Sequence, residues 1–591
     1  MSVRAFGREV RERPSRLTTE FSSTCQHGDA CATRAIAVPV DAGCPCALAP
    51  ARQASQDGVS SAAGACRVWP QSREAISPRF APMKFISHLA FALPFAVSSA
   101  LPAQAPPRTP PRTPVDILIT GGSVITMDPQ RRVIEDGSVA IVADRIVAVG
   151  PSRELASKYQ PKQRIDARRK IVMPGLIDGH GHAGHGLVKS LGADTDDWYP
   201  ATEQIYARGS TSDFWRAEAL LAGVERVRFG VTTALSFLGG GEMIMRTDDP
   251  AYGDAYLQAI EKVGLRFFLA VGPRRPPYPN TYVQWSGEQA KDVPVSFERH
   301  LEVSEALIKR WNGAGEGRLH IAMAFPTHHP ETTPLTDSAL AELVAQARAT
   351  RALSKKYGLL FTQDGHSRGS VKFANDVFDI LGPDVLLSHA TGMTDEEIQI
   401  VARTGTKIVH NPSANAAIRE RFTLIELLDA GATVMLGSDG VAPDRSYDMF
   451  RHMFQAMHYH RFYYHDTKVL PAGKVLEMVT IDAARALGLE QEIGSLEPGK
   501  KADVILVDGF RPHMVPMNMP LYRIAYFANG NDVSTVLVNG RVLMRDRKVL
   551  TVNEEAVLTL ADREAEAAIK RTGLERLKET PAGFWGRSRL P

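Results

Sequence analysis

The sequence predicts an α/β protein: a (β/α)8 barrel with a small β-sandwich domain assembled from both ends of the chain. Three observations predict it. Between residues 173 and 494, apolar strand, turn and helix signals alternate as they do in a barrel of parallel strands. Short β-branched runs precede that region at 116–172 and return after it at 495–552. Polar residues gather just past the strand ends, where barrels build their sites from βα loops, beginning with His180-Gly181-His182.

The whole chain sets the frame. At 591 residues it exceeds one ordinary core, and a large barrel plus a smaller domain fits. A hydrophobic fraction of 44% and a charged fraction of 23% suit a soluble globular enzyme. The net charge of +3 gives no argument for a nucleic-acid partner or a membrane surface. All five cysteines (Cys25, Cys31, Cys44, Cys46, Cys66) precede residue 70, with no His or Cys at finger spacing behind them. They belong to a segment outside the enzyme.

Taken in order, residues 1–82 are rich in Ala, Arg, Ser and Pro and lack helical or alternating periodicity. Met83-Lys84, the apolar run Phe85 to Val97 and Ala103-x-Ala105 then form a charged start, an apolar core and a cleavage site. Residues 83–105 therefore read as a signal peptide starting at Met83, with an apolar core too short to span a bilayer. This predicts an exported enzyme, periplasmic or secreted, with no membrane span in the mature chain. Residues 1–82 then read as an over-extended start or a disordered tail. Residues 106–115 form a stiff proline-rich linker.

Asp116–Thr120, Ser138–Val142 and Arg145–Val149 are the first strands of the β-domain, and Ala502–Val507 and Val536–Leu543 return to it. Asn539-Gly540 marks a two-residue hairpin. Barrel strands are expected at Val231–Phe237, Arg266–Val271, Leu319–Phe325, Leu359–Gln363, Val385–His389, Lys407–His410 and Val434–Gly437. Thr394-x-x-Glu397 is a capping box for a helix that Gly405 can close. Residues 553–591, rich in Ala, Glu, Lys and Arg as far as about Lys578, read as a C-terminal helical tail.

On an extended strand, residues two apart share a face, so His180 and His182 can both reach one metal ion. Pro174-Gly175 before an apolar turn, Asp178 ahead of the histidines, and Gly437-Ser438-Asp439-Gly440 far downstream complete a recurring set. On these residues the sequence resembles the amidohydrolase superfamily, metal-dependent hydrolases built on a (β/α)8 barrel. Within it the resemblance is to the branch of triazine hydrolases and of adenosine, guanine and cytosine deaminases. It runs from about Asp116 to about Val552.

The resemblance implies that His180 and His182 are metal ligands and that Asp439 is both ligand and general base towards the bound water. It implies His389 as a stabiliser of developing negative charge. Asn411 and Asn415 resemble the family's pocket-shaping loop after strand seven, although Asn411-Pro412 is equally turn chemistry. The chain departs from the branch at strand five, where His-x-x-Glu is usual and Gln363-Asp364-Gly365-His366 stands here. In that register Gln363 replaces a ligand histidine and His366 the proton-shuttling glutamate. Three arrangements stay open: His366 as third ligand, Gln363 as ligand or water contact with His366 as shuttle, or a weakly held metal.

Leu319–Phe325 contains no lysine of the kind that bridges two ions in binuclear members, so one divalent ion is expected, zinc or alternatively iron(II). His328 follows that strand and is a candidate to face substrate, whereas His320 alternates on the strand and reads as structural. His458 to His465 read as a helix face or subunit contact rather than a second metal site. The reaction expected is hydrolysis of a C–N bond in a small amide-like or cyclic nitrogen compound. Deamination or dechlorination of a heteroaromatic ring is the alternative, because ring chemistry in this branch leans on the missing glutamate. A barrel that has lost catalysis and serves as a binding scaffold is the non-enzymatic alternative; the intact His180, His182, Asp439 and His389 argue against it, and loss of metal with an undamaged fold would favour it. The partners expected are a small-molecule substrate and, from the family, a second copy of the chain.

Overall fold

The computed structural model describes residues 112–589 apart from 241–243, 419 and 587. The expected signal peptide, the residues before it and most of the linker lie outside the described residues. Five strands open the described chain: β1 (Thr113–Ile125), β2 (Val133–Val142), β3 (Arg145–Pro151), β4 (Tyr159–Asp166) and β5 (Lys170–Pro174). The barrel follows with β6 (Leu176–Asp178), β7 (Val231–Phe237) and β8 (Arg266–Val271). A hairpin of β9 (Asn280–Ser286) and β10 (Gln289–Val295) is inserted next. The barrel resumes with β11 (Leu319–Ala324), β12 (Phe361–Gln363), β13 (Val385–Ser388), β14 (Lys407–His410) and β15 (Val434–Leu436). Finally come β16 (Val504–Asp508), β17 (Val533–Val538), β18 (Arg541–Arg545) and β19 (Lys548–Val549).

Two large sheets result. One has nine strands in the order β19-β18-β17-β16-β5-β1-β2-β3, with β4 added on β1, so the chain's two ends do share one domain. The join is the antiparallel pairing of β16 with β5. Ile117, Ile119, Val139, Ile141 and Val172 from the front half pack with Val504, Leu506 and Leu537 from the back. Asn539 and Gly540 turn the β17–β18 hairpin with φ of 46° and 71°, the double left-handed geometry of a type I′ turn.

The second sheet is the eight-stranded parallel barrel, β6 to β15. Its first and last strands meet through Gly179 N donating to Leu436 O (3.0 Å) and Asp439 N to His180 O (2.9 Å). Alternation along each strand separates two apolar layers. Ile177, Leu235, Phe268, Ala270, Ala322, Leu386, Val409 and Met435 belong to one cluster, the barrel's filling. Leu176, Phe267, Leu269, Ile321, Phe361, Val385, Leu387 and Val434 belong to the other, which packs under the helices. The capping box at Thr394 is present, and Gly405 closes that helix at φ 70°. Among the described residues no helix is long and apolar enough to cross a membrane.

Candidate active site

Four turns at the C-terminal ends of barrel strands, those after β6, β12, β13 and β15, carry the polar cluster. After β6, the chain delivers His180 and His182, and His182 Nδ1 faces Gly239 O at 3.2 Å. A carbonyl only accepts, so Nδ1 carries the hydrogen and Nε2 is left with its lone pair towards the barrel axis. After β13 and β15, His389 and Asp439 sit in the left-handed region, at φ 68° and 62°. Non-glycine residues rarely adopt it, and the strain turns both side chains inward. The glycines of the Gly437-Ser438-Asp439-Gly440 turn make room: a Cβ at Gly437 would run into Asn411, and one at Gly440 into the His185 ring.

The fifth member of the cluster is Asp364. Its Oδ1 lies 3.1 Å from His180 Nε2 and 3.4 Å from His389 Nε2, and its Oδ2 lies 3.6 Å from His182 Nε2. Asp439 Oδ1 lies 3.2 Å from His182 Nε2, 3.7 Å from His180 Nε2 and 3.8 Å from His389 Nε2. Ligand atoms of His180, His389 and Asp439, and of His180, His182 and Asp364, fall within 4.8 Å of one another in each trio. All five residues are buried. Ser388 braces the arrangement by donating to Asp364 Oδ1 at 2.7 Å. Imidazole nitrogens and carboxylate oxygens at this spacing can enclose one divalent ion.

Electrostatics keep both carboxyls charged. Burial pushes Asp364 up, but His180, His389 and His182 more than offset it and hold it well below the usual carboxylate range. Asp439 is likewise pushed up by burial and held well below by His389, His182 and Arg445. The Arg445 guanidinium reaches Asp439 Oδ2 at 3.9 Å, on the oxygen turned away from the histidines. For His182, burial is outweighed by Asp439 and Asp364, and its pKa is raised.

At strand five the structure adds a residue that the expected register did not name. Phe361 belongs to the layer under the helices, so Gln363, two residues on, has the same parity. The Gln363 amide nitrogen donates to Pro326 O at 3.1 Å, and its Oε1 is buried without a hydrogen-bond partner. Thr362 and Asp364 have the opposite parity, and Asp364 is the residue brought to the donors. His366 is not among them. Its Nδ1 faces Ser370 Oγ at 2.9 Å, and burial and His329 push its pKa down to about 3, so the ring is neutral at pH 7.

The remaining candidates separate. Asn411 Nδ2 lies 3.4 Å from His389 Nε2, beside the cluster. Asn415 is buried one helical turn further on, its backbone N donating to Asn411 O at 3.0 Å. His328 packs against Phe373, with ring centroids 4.6 Å apart. His320 stacks on Phe268 at 4.5 Å, a structural placement. His458 and His460 lie on the helix Met449–Tyr464, where His460 Nε2 meets His410 Nε2 at 3.2 Å.

Sequence reasoning missed a second layer behind the histidines. His185 stacks on His182, centroids 5.0 Å apart, and Gly186 N donates to Glu218 Oε1 at 3.2 Å. Burial pushes the fully enclosed Glu218 up to about 7. Its folded pKa exceeds the unfolded one near 4.5, so this carboxyl's contribution is complete below pH 4.5 and is lost as pH rises through 7. Up to roughly 3 kcal/mol is at stake at about 1.4 kcal/mol per pKa unit. Glu218→Gln is therefore expected to remove part of the fall in melting temperature between pH 5 and pH 8. Parallel melts of both proteins check this, and identical falls would contradict it.

The comparisons agree with the geometry. The model of the Amidohydrolase family matches residues 171–543. A 5′-deoxyadenosine deaminase of Methanosarcina mazei is 31% identical over 470 residues, covering 77% of this chain and 99% of that protein. A 5-methylthioadenosine/S-adenosylhomocysteine deaminase of Desulforudis audaxviator is 32% identical, covering 73% of this chain and 95% of its own. Among solved structures, a zinc-bound adenosine deaminase from Xanthomonas campestris aligns with a TM-score of 0.67 at 22% identity, covering 78% of this chain and all of that one. A zinc-complexed atrazine chlorohydrolase from Arthrobacter aurescens aligns at 0.61 and 22% identity, covering 76% of this chain and 100% of that one. With its barrel, composite sheet and convergent His/Asp cluster, the chain belongs to the amidohydrolase family and is a metal-dependent hydrolase of carbon–nitrogen bonds other than peptide bonds.

Proposed function

We propose that the enzyme cleaves a C–N bond in a small amide-like or cyclic nitrogen compound, with one divalent ion held by His180, His182, Asp364 and Asp439. The observation that carries this reading is the donor set, in which Asp364 stands with the histidines and no glutamate joins the described members of the cluster. The donors fit such an ion: His182 presents Nε2 because Gly239 O holds its Nδ1, and both carboxyls are ionised. Zinc suits the imidazoles, and a second carboxylate also suits iron(II). A bound ion supplies Lewis acidity and lowers the pKa of a water towards neutrality.

The chain's own residues do the rest. Asp439 takes the proton of the attacking water, its Oδ2 neighbouring Arg445 so that Oδ1 stays on the reacting side. His389, with Asn411 beside its Nε2, faces the charge that develops at the trigonal carbon's heteroatom. Asn415 and His328 belong to the surrounding pocket wall in this reading.

The relatives' names support a second reading, hydrolytic deamination of an adenosine-like ring. It lacks the glutamate that the branch uses to protonate a ring nitrogen. The two are separated by assaying metal-loaded full chain for ammonia from 5′-deoxyadenosine and 5-methylthioadenosine, and for acid and amine from a panel of linear and cyclic amides. Amide turnover without ammonia from the nucleosides is expected. Ammonia from the nucleosides alone would transfer the assignment to the deaminase. Met83–Ala105 further supports an exported enzyme, which fractionation of the producing cells tests.

A further inference from the structure

We propose that the C-terminal tail, residues 580–586, is a wall of the vestibule before the metal cluster and determines how large a substrate group can extend away from the scissile bond. The proposal rests on reading the barrel-end cluster as the active site. The tail lies beyond the family match, which ends at residue 543. After β19 the helix Glu554–Thr572 packs on the helix Ser212–Arg228, and Arg571 donates to Gly209 O at 3.1 Å. Gly573 ends it at φ 65°, and the chain turns back towards the loop that follows His182. Two contacts fasten it there: Gly192 N donates to Leu577 O at 3.3 Å, and Arg576 pairs with Asp197 at 3.0 Å.

Those contacts bring Pro581 and Ala582 to a cavity of about 800 Å³. Its other walls are residues 193–198, Ala417 and residues 443–445, which follow β6, β14 and β15 respectively. All three are βα loops at the end of the barrel where its chemistry is placed. Arg445 links the cavity to the cluster, for it lines the one and lies 3.9 Å from Asp439 Oδ2 in the other. The volume lies within the usual range for small-molecule sites and exceeds what a reacting amide group fills. Beyond Ala582, Phe584 and Trp585 pack edge to face at 4.8 Å, and Trp585 is 83% exposed on the tail. A wall supplied from outside the barrel can change which substrates enter while every donor stays in place.

The test compares the full chain with a truncation ending at Glu579, which keeps Arg576 and Leu577, and with Ala582→Trp. One readout is kinetic, using the acetyl and 2-naphthoyl amides of 4-nitroaniline, which share a leaving group. Truncation is expected to raise kcat/KM for the naphthoyl amide relative to the acetyl amide by about 10-fold or more, chiefly through KM, and Ala582→Trp to lower it. An unchanged ratio in both variants would overturn the proposal. The other readout needs no turnover: Ala193→Cys is labelled with methyl methanethiosulfonate or a pyrene maleimide, and the peptide carrying residue 193 is followed by mass spectrometry. The bulky reagent is expected to lag in the full chain and to catch up in the truncation. Equal lag in both would overturn the wall. A lag that closes while neither amide reacts would support the wall and count against the amide reading alone.

Discussion

Asp439→Asn is expected to lower turnover by about 10²–10⁴-fold, the range for loss of a positioned general base. The substitution keeps the shape of the side chain and one carbonyl oxygen, so the turn at φ 62° and the contact with Asp439 N to His180 O remain. What it removes is charge. Asp439 Oδ1 sits within 3.8 Å of three imidazole Nε2 atoms, and no other carboxylate but Asp364 shares that position among the described residues. Because the histidines and Arg445 hold this carboxyl well below its usual pKa, the loss is expected across the neutral range rather than only at low pH. Steady-state kinetics on the substrate found by the panel measure it. A loss under ten-fold would contradict the role given to Asp439.

The largest stability effect is expected at Asp178, which is not one of the residues proposed to hold the metal. Its Oδ1 accepts Ser438 N at 2.8 Å, and its Oδ2 accepts Ser438 Oγ at 2.8 Å and the Arg226 guanidinium at 3.2 Å. Asp178 and Arg226 are both fully buried, and Arg226 also lies 3.6 Å over the Tyr447 ring. Asp178→Ala leaves that guanidinium without its carboxylate, which costs about 3–5 kcal/mol. That is a large share of the 5–15 kcal/mol that holds a typical domain folded. It also releases Ser438, next to Asp439, so activity is expected to fall with stability. Adding Arg226→Met is expected to recover part of the stability by removing the unpaired charge. Denaturant melts of the two variants check both statements. A loss below 1 kcal/mol in the single variant would contradict them.

The parts of this molecule that were legible are those where local chemistry and fold agree. Val231–Phe237, Arg266–Val271 and Lys407–His410 are short runs rich in apolar and β-branched residues between turn signals, and the structure has strands with those bounds. Thr394, Glu397 and Gly405 bracket a helix as their side chains require. Strand β4, Tyr-Gln-Pro-Lys-Gln-Arg-Ile-Asp, was hidden because it is half exposed and polar, and parallel pairing with β1 rather than propensity makes it a strand. His180, His182, His389 and Asp439, which the structure brings into one cluster, could be singled out from their motif. Asp364 could not, because spacing to a His-x-x-Glu pattern was followed where face parity along a three-residue strand decides. The bracing of Ser438 by Asp178 and the closeness of Glu218 to Gly186 join residues far apart in the chain, and only the closed barrel brings them together.

Metal content shows whether His180, His182, Asp364 and Asp439 hold one working metal ion. Plasma mass spectrometry would be run on the full chain, Gln363→Ala and Asp364→Ala after dialysis against trace chelator. About one divalent ion per chain in the parent and in Gln363→Ala, with loss in Asp364→Ala, is the result expected. No stoichiometric ion in the parent, or loss in Gln363→Ala with retention in Asp364→Ala, would contradict it.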